Sequence, residues 1–374
     1  MQFFLISLAF LLSLGQLQRI QITNNIAFYL HDLLIVGFLI KELFAANLQI
    51  KKIIENAKKI KKNQKKIIFI FLIIILGAWS LAFIEERFDF RAVLYSARLV
   101  SYIIFVFLLQ KKLKNKNLFW RLISLNILLL GFVQYFFLPD LRFLIYEGYD
   151  DHFYRLTSTM LDPAFAGLIF VFNLNYYLWQ KKKNYLLIML FTLGLLLTYS
   201  RSSYLAFGIS SAAMIFLNKK SSKKAILITL SCFCLALPFL PKKSGGDGVD
   251  LLRTVSLQKR ISNDQEILQS INTVPQWLFG QGLFIPAKNR VITNDTPSHS
   301  HFADNLLVFL VSNLGIVGTI TLLIVIFKSL ARNPEKNKVV LMTSLMSHAM
   351  FNNNLTQSFV VLIFLGFYLT ENNS

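Results

Sequence analysis

The chain has 374 residues, 55% of them hydrophobic and only 16% charged, with a mean hydropathy of +0.54. A water-soluble domain carries about a quarter charged residues, so that class is excluded, and 36 Phe against 8 Pro and 16 Gly exclude disordered and collagen-like chains. The net charge of +20 would suit nucleic acid, but no aromatic residues interleave the lysines of the long basic run Lys51–Lys66, so nucleic acid is not an expected partner.

Apolar runs between charge clusters predict about twelve membrane spans, near 3–18, 26–45, 67–84, 92–110, 118–138, 160–179, 185–199, 203–217, 225–240, 303–327, 338–351 and 356–370. The first run lacks a basic n-region and a small-residue cleavage site, so it reads as an anchor and not as a removed signal peptide. The ninth run carries Cys232 and Cys234, whose spacing puts them on different helix faces and offers neither a disulfide framework nor a zinc site. The linkers at 41–66, 111–117, 181–183, 219–224 and 328–338 hold 24 of the 39 basic residues. These are every second linker, which puts both termini in the cytoplasm and the long lysine runs against anionic lipid. The expected fold class is therefore all-α: one polytopic transmembrane domain over 1–374, with 241–302 as a large extracytoplasmic loop before the tenth helix. That loop has apolar periodicity and aromatics, and is expected to fold as a small cap.

The outer face differs from the inner one in its choice of cation. The inner linkers hold 23 Lys and one Arg, whereas nine of the 13 basic residues in the outer loops are Arg. Topology needs positive charge of either kind; a planar guanidinium fork specifically matches phosphate. All five histidines (His31, His152, His299, His301 and His348) also fall in the outer half. His31 lies beside Asp32 at the start of the second span, and Arg98 lies about 10 Å deep in the fourth at the helical rise. Ionisable groups at that depth either pair with each other across helices or line an outward-opening polar pocket.

Three further constellations stand on the outer side. Thr198-Tyr-Ser-Arg201-Ser-Ser-Tyr204 forms a tight turn rich in hydroxyls. Arg155 leads to Asp162-Pro163, which reads as the cap and first turn of a helix. Pro297-Ser-His299-Ser-His301-Phe-Ala-Asp304-Asn305 runs into the tenth span. If that helix begins near Phe302, His301, Asp304 and Asn305 share a face, as a general base with an orienting acid requires; the alternative is an Asp capping a helix beside surface histidines. No third ligand cluster accompanies the histidines, so no metal is expected.

The order Arg155…Asp162-Pro163, Ser200-Arg201, Arg260, Gly280-Gln-Gly282, the His/Asp-Asn cluster and Leu314-Gly315-Ile-Val-Gly318 resembles the O-antigen polymerase and O-antigen ligase superfamily over roughly 150–320. The resemblance implies a GT-C-like, metal-independent, inverting glycosyltransferase without a cofactor, acting at the periplasmic face of the bacterial inner membrane. Its substrate would be a glycan on undecaprenyl diphosphate, and a chain-length regulator would be a protein partner. Arg201 and Arg260 match the family's paired diphosphate-binding arginines, with Arg155 and Arg98 expected beside them. The position of the family's loop His falls on Asp304, followed by Asn305, with His301 one turn earlier and His299 before it; His31 is a further candidate. That departure favours the polymerase branch over the ligases, with a lipid-linked sugar flippase as a third alternative.

Overall fold

The structure, a computed structural model, describes residues 2–23, 26–47, 62–113, 115–147, 149–217, 220–242, 248–286, 302–332 and 335–370. His299 and His301 lie outside the described residues. The protein is mostly helical. In chain order the helices are α1 (Gln2–Leu14), α2 (Leu30–Asn47), α3 (Lys62–Ile84), α4 (Phe90–Lys112), α5 (Lys116–Phe137), α6 (Pro163–Trp179) and α7 (Tyr185–Leu197). They continue with α8 (Arg201–Leu217), α9 (Lys220–Ala236), α10 (Val255–Gln269), α11 (Val274–Phe279), α12 (Leu306–Arg332), α13 (Lys336–Ala349) and α14 (Ser358–Tyr368).

Each of the twelve apolar runs overlaps one helix, α1–α9 and α12–α14, while α10 and α11 lie in the 241–302 segment. Three helices are long and apolar enough to cross a membrane: α4, α5 and the Leu306–Lys328 part of α12. Others are short: a 13-residue helix such as α7 rises only about 20 Å against a hydrocarbon core of about 30 Å. Large apolar side chains remain exposed along the helices, among them Ile6, Phe44, Phe83, Phe137, Leu186 and Phe216. So much exposed apolar surface suits hydrocarbon and not water.

Two local expectations are corrected. The ends of the first two expected spans are not α-helical: Gly15–Gln18 forms a 3-10 turn, and Ile26–Tyr29 is a strand, β2, that pairs antiparallel with β1 (Arg19–Thr23) of the linker. Ile20 and Ile22 alternate there with Arg19 and Gln21, a period of two that opposes a helix. The helix of the tenth span, α12, begins at Leu306 and not near Phe302, so Asp304 and Asn305 lie in a bend before it and not on a helical face.

Helix α6 is the central pillar, with every residue from Pro163 to Leu178 buried. It is apolar on all sides, which requires partners all round; these are α5, α7, α8, α13 and α14. Its start is capped by Asp162, whose Oδ1 accepts from the N–H groups of Ala164 (2.6 Å) and Phe165 (3.2 Å), with Pro163 in the first turn.

A second core joins the 241–302 segment to α3, α4 and α12 around Ile267, Phe284 and Phe309. Its joint is backbone against backbone. The Gln281 N–H donates to the Ser312 carbonyl (2.7 Å) and the Gly282 N–H to that of Asn313 (3.1 Å). Gly280 (φ 84°) and Gly315 (φ 68°) both take left-handed conformations here, and Gly315 breaks α12. A Cβ on Gly280 would stand 2.4 Å from the Asn313 carbonyl, and one on Gly315 2.2 Å from that of Leu278. Only glycine fits either position.

Candidate functional site

The turn that ends α7 and starts α8 places Arg201 in the first turn of α8, at the rim of a cavity of about 380 Å³. Four arginines line this cavity: Arg155 from the loop before α6, Arg201, and Arg253 and Arg260 from the 241–302 segment, with Lys259 beside the last. Arg201 and Arg260, 59 residues apart in sequence, thus face one space.

How these cations are held is the chief feature. Arg155 is buried; its Nε donates to the Thr198 carbonyl (3.1 Å) and its Nη2 to that of Tyr199 (3.4 Å). Arg201 Nη1 donates to the carbonyls of Leu251 (3.3 Å) and Arg253 (2.9 Å), and Nη2 to Ser256 Oγ (2.9 Å). Arg253 donates to the carbonyls of Gly248 and Asp250, and Arg260 to that of Phe351 (2.8 Å). Among the described residues, none of the four makes an ion pair with a carboxylate. Carbonyl dipoles orient the guanidinium groups without neutralising them. Burial, then the neighbouring Arg253, pushes Arg155 down to about 9; burial, then Arg201 and Arg260, pushes Arg253 down to about 10.

The backbone around the arginines is shaped to match. Tyr154, Ser158, Leu161 and Tyr199 have φ between 48° and 56°, the left-handed region that non-glycine residues avoid. Tyr199 in this conformation sits between the two carbonyls and the helix start that serve Arg155 and Arg201. Strain of this kind persists where surrounding structure holds it, often at functional sites. The first turn of α8, Ser200 to Ser202, also lines the cavity and adds the positive end of a helix dipole.

Beyond Lys259 and Arg260 the cavity continues into a second one of about 350 Å³, bounded also by Asp304, Asn263 and Asn353; the two share Asp150, Asp162 and Ser256 as well. Asp304 is fixed by Asn263, whose Nδ2 donates to Oδ2 (2.7 Å), and its own N–H is capped by Asp264 Oδ1 (2.8 Å). Asp304 therefore stands in the same cleft as Arg260. Burial raises the Asp264 carboxyl.

Arg98 and His31 do not join this cleft. Arg98 Nη2 lies 3.1 Å from Asp32 Oδ2 and donates to the Ala27 carbonyl (2.7 Å), with its guanidinium 5.0 Å from the centre of the Tyr29 ring. Tyr102 donates to Asp32 and lies 2.6 Å from His31 Nε2. Arg98 instead forms an interhelical ion pair joining α2 to α4, outside the arginine cavity. Both Arg98 and His31 line a separate chamber of about 110 Å³, which meets the arginine cavity at Asp150, His152 and Asp162. On its other side the chamber meets an apolar groove between α2 and α4, about 190 Å³, at Ala27, Tyr95, Arg98 and Tyr102.

Sequence reasoning missed Arg253, Lys259, Asp150 and His152. Arg253 belongs to the arginine excess of the outer loops, so its type was visible and its position was not. Compared with known proteins, the chain matches no protein-family model and no curated protein.

Proposed function

We propose that the protein is a membrane glycan polymerase of GT-C-like architecture, with twelve spans, both termini cytoplasmic and the arginine cavity facing the periplasm. It joins oligosaccharide repeat units carried on undecaprenyl diphosphate. The observation that carries this reading is the cavity itself: four arginines, anchored by carbonyls and repelling one another, want an anion with several oxygens. A diphosphate fits that demand, and a site set among apolar helices suits one borne on a lipid. The groove between α2 and α4 supports a lateral way in for a prenyl chain.

In the reaction, an acceptor hydroxyl attacks the anomeric carbon of the donor and the bond to the diphosphate oxygen breaks. Arg155, Arg201, Arg253 and Arg260 take up the charge that develops on the departing diphosphate. Loss of one such donor raises the barrier by about 3 kcal/mol. Asp304, held by Asn263, stands at the Arg260 end of the same cleft.

The test is a deletion strain complemented with variants, read as the ladder of surface-polysaccharide chain lengths. Arg201→Ala, Arg253→Ala and Arg260→Ala each abolish chain extension while the protein still inserts, leaving a single repeat unit on the lipid core. Core without any repeat unit would identify a ligase, and repeat units trapped on the cytoplasmic side a flippase. Wild-type ladders in all three variants would remove the cavity from the reaction.

A further inference from the structure

His152 is only 5% exposed, yet among the described residues neither of its ring nitrogens has a hydrogen-bond partner. An imidazole stripped of water and left with two unmet nitrogens is costly, and such groups call for an explanation. His152 lines both the arginine cavity and the neighbouring chamber. The chamber holds a second orphan of the same kind, Nδ1 of the buried His31.

The rest of the chamber mixes flat rings with hydrogen-bonding groups. Tyr29, Tyr95 and Tyr149 contribute aromatic faces with hydroxyl tips, and Asp150 and Gln357 contribute a carboxylate and an amide. The Arg19 guanidinium, 5.4 Å from the centre of the Tyr149 ring, ties the β1–β2 hairpin to the outer loop across this space. A sugar ring has the complementary make-up, with apolar C–H faces and a rim of hydroxyls. Phosphate alone would have no use for three tyrosines.

We propose that this chamber holds the acceptor saccharide, and that His152, standing between it and the arginine cavity, takes the proton of the attacking hydroxyl. The proposal rests on the glycan-transfer reading above and adds to it the acceptor site and its base. As the acceptor oxygen bonds to the donor's anomeric carbon, the carbon–oxygen bond to the diphosphate breaks and its electron pair leaves with the diphosphate among the arginines. The hydroxyl proton passes to His152 and from there to solvent. Burial, then Arg155, pushes His152 down to about 3, which makes it a weak base. A diphosphate seated beside the arginines opposes their field and restores the imidazole's affinity for a proton. The base is thus armed only when the donor is in place, which guards the activated sugar against premature attack.

The experiment uses the full-length protein in nanodiscs, measuring undecaprenyl diphosphate binding and repeat-unit transfer separately. His152→Gln is expected to lower kcat by about 100-fold or more, the usual loss of a general base, with the donor Kd within twofold of wild type. The rise of wild-type kcat with pH flattens in this variant. Tyr149→Ala is expected to raise the acceptor KM several-fold with a smaller change in kcat. Wild-type turnover in His152→Gln overturns the proposal, as does a parallel collapse of kcat, donor affinity and Tm, which marks a structural histidine. If His152 variants do not insert, an unchanged acceptor KM in Tyr149→Ala overturns the chamber assignment. A wild-type protein that neither binds undecaprenyl diphosphate nor extends chains would instead overturn the glycan-transfer reading itself.

Discussion

The protein holds buried or half-buried cations in two ways, within one continuous run of cavities. At α2 and α4, Arg98 meets the carboxylate of Asp32, which also accepts from Tyr102 and from the backbone N–H of Tyr29 (3.1 Å). Charge there is balanced, and the pair fastens two helices. In the neighbouring cavity, Arg155, Arg201, Arg253 and Arg260 are held, among the described residues, by carbonyl oxygens and one hydroxyl. The same residue type is mortar in one place and an unmet demand for negative charge in the other. Depth does not separate the two, and carboxylates line both (Asp150, Asp151 and Asp162 in the arginine cavity); among the described residues, a direct ion-pair contact does.

Charge removal should therefore act oppositely in the two regions. Asp32→Asn leaves Arg98 without its anion and is expected to cost about 3–5 kcal/mol of stability, as breaking a buried pair does; a fall in Tm in detergent checks it, and an unshifted Tm would erase the distinction. Arg253→Gln is expected to lower transfer by about 100-fold while the ligand-free Tm does not fall, because a mutually repelling charge has gone. Arg201→Lys keeps the charge and loses the fork, so transfer should recover only in part.

Ligand should sharpen the contrast further. Inorganic pyrophosphate at about 100 times its Kd would stabilise the protein by about 2.7 kcal/mol, a rise in Tm that disappears in Arg201→Ala and persists in Arg98→Lys. A further effect concerns pH. His152 falls from 6.5 to about 3 in the folded protein, so between those values the unfolded chain binds the extra proton. Its contribution to stability is present above pH 6.5 and is lost as pH falls towards 3. His152→Gln should flatten the Tm profile over that window, measured against wild type.

Much of this was legible in the chain and some of it could not be. Each apolar run overlaps a helix, because hydropathy is a local property that each run carries by itself; α10 and α11, less apolar, lie outside every run. The β1–β2 hairpin was missed because apolar Ile26–Tyr29 counted into the second run, while Arg19–Thr23 fell between the first two runs. For the site, the arginine bias of the outer loops announced the chemistry, and Arg155, Arg201 and Arg260 were singled out. Arg98 was grouped with them although its interhelical pairing with Asp32, 66 residues away, was already one of the two readings the buried charges offered. Arg253 and His152 stayed hidden since their roles depend on how the 241–302 segment folds back over the loop before α6. No window of sequence contains that encounter.

The contact between Gly280 and Gly315 bears on the order in which the molecule is built. Synthesis delivers α8 and Arg201 well before α12, and the carbonyls and arginines of the 241–302 segment in between. That segment is clamped only when the Asn313 and Leu278 backbones meet across two positions with no room for a methyl group. The anion pocket is therefore among the last features to mature, and a nascent chain stalled before α12 would be inserted yet inert. A methyl group at either glycine should reproduce that stalled state in a full-length chain, an assembly defect that leaves every arginine unchanged.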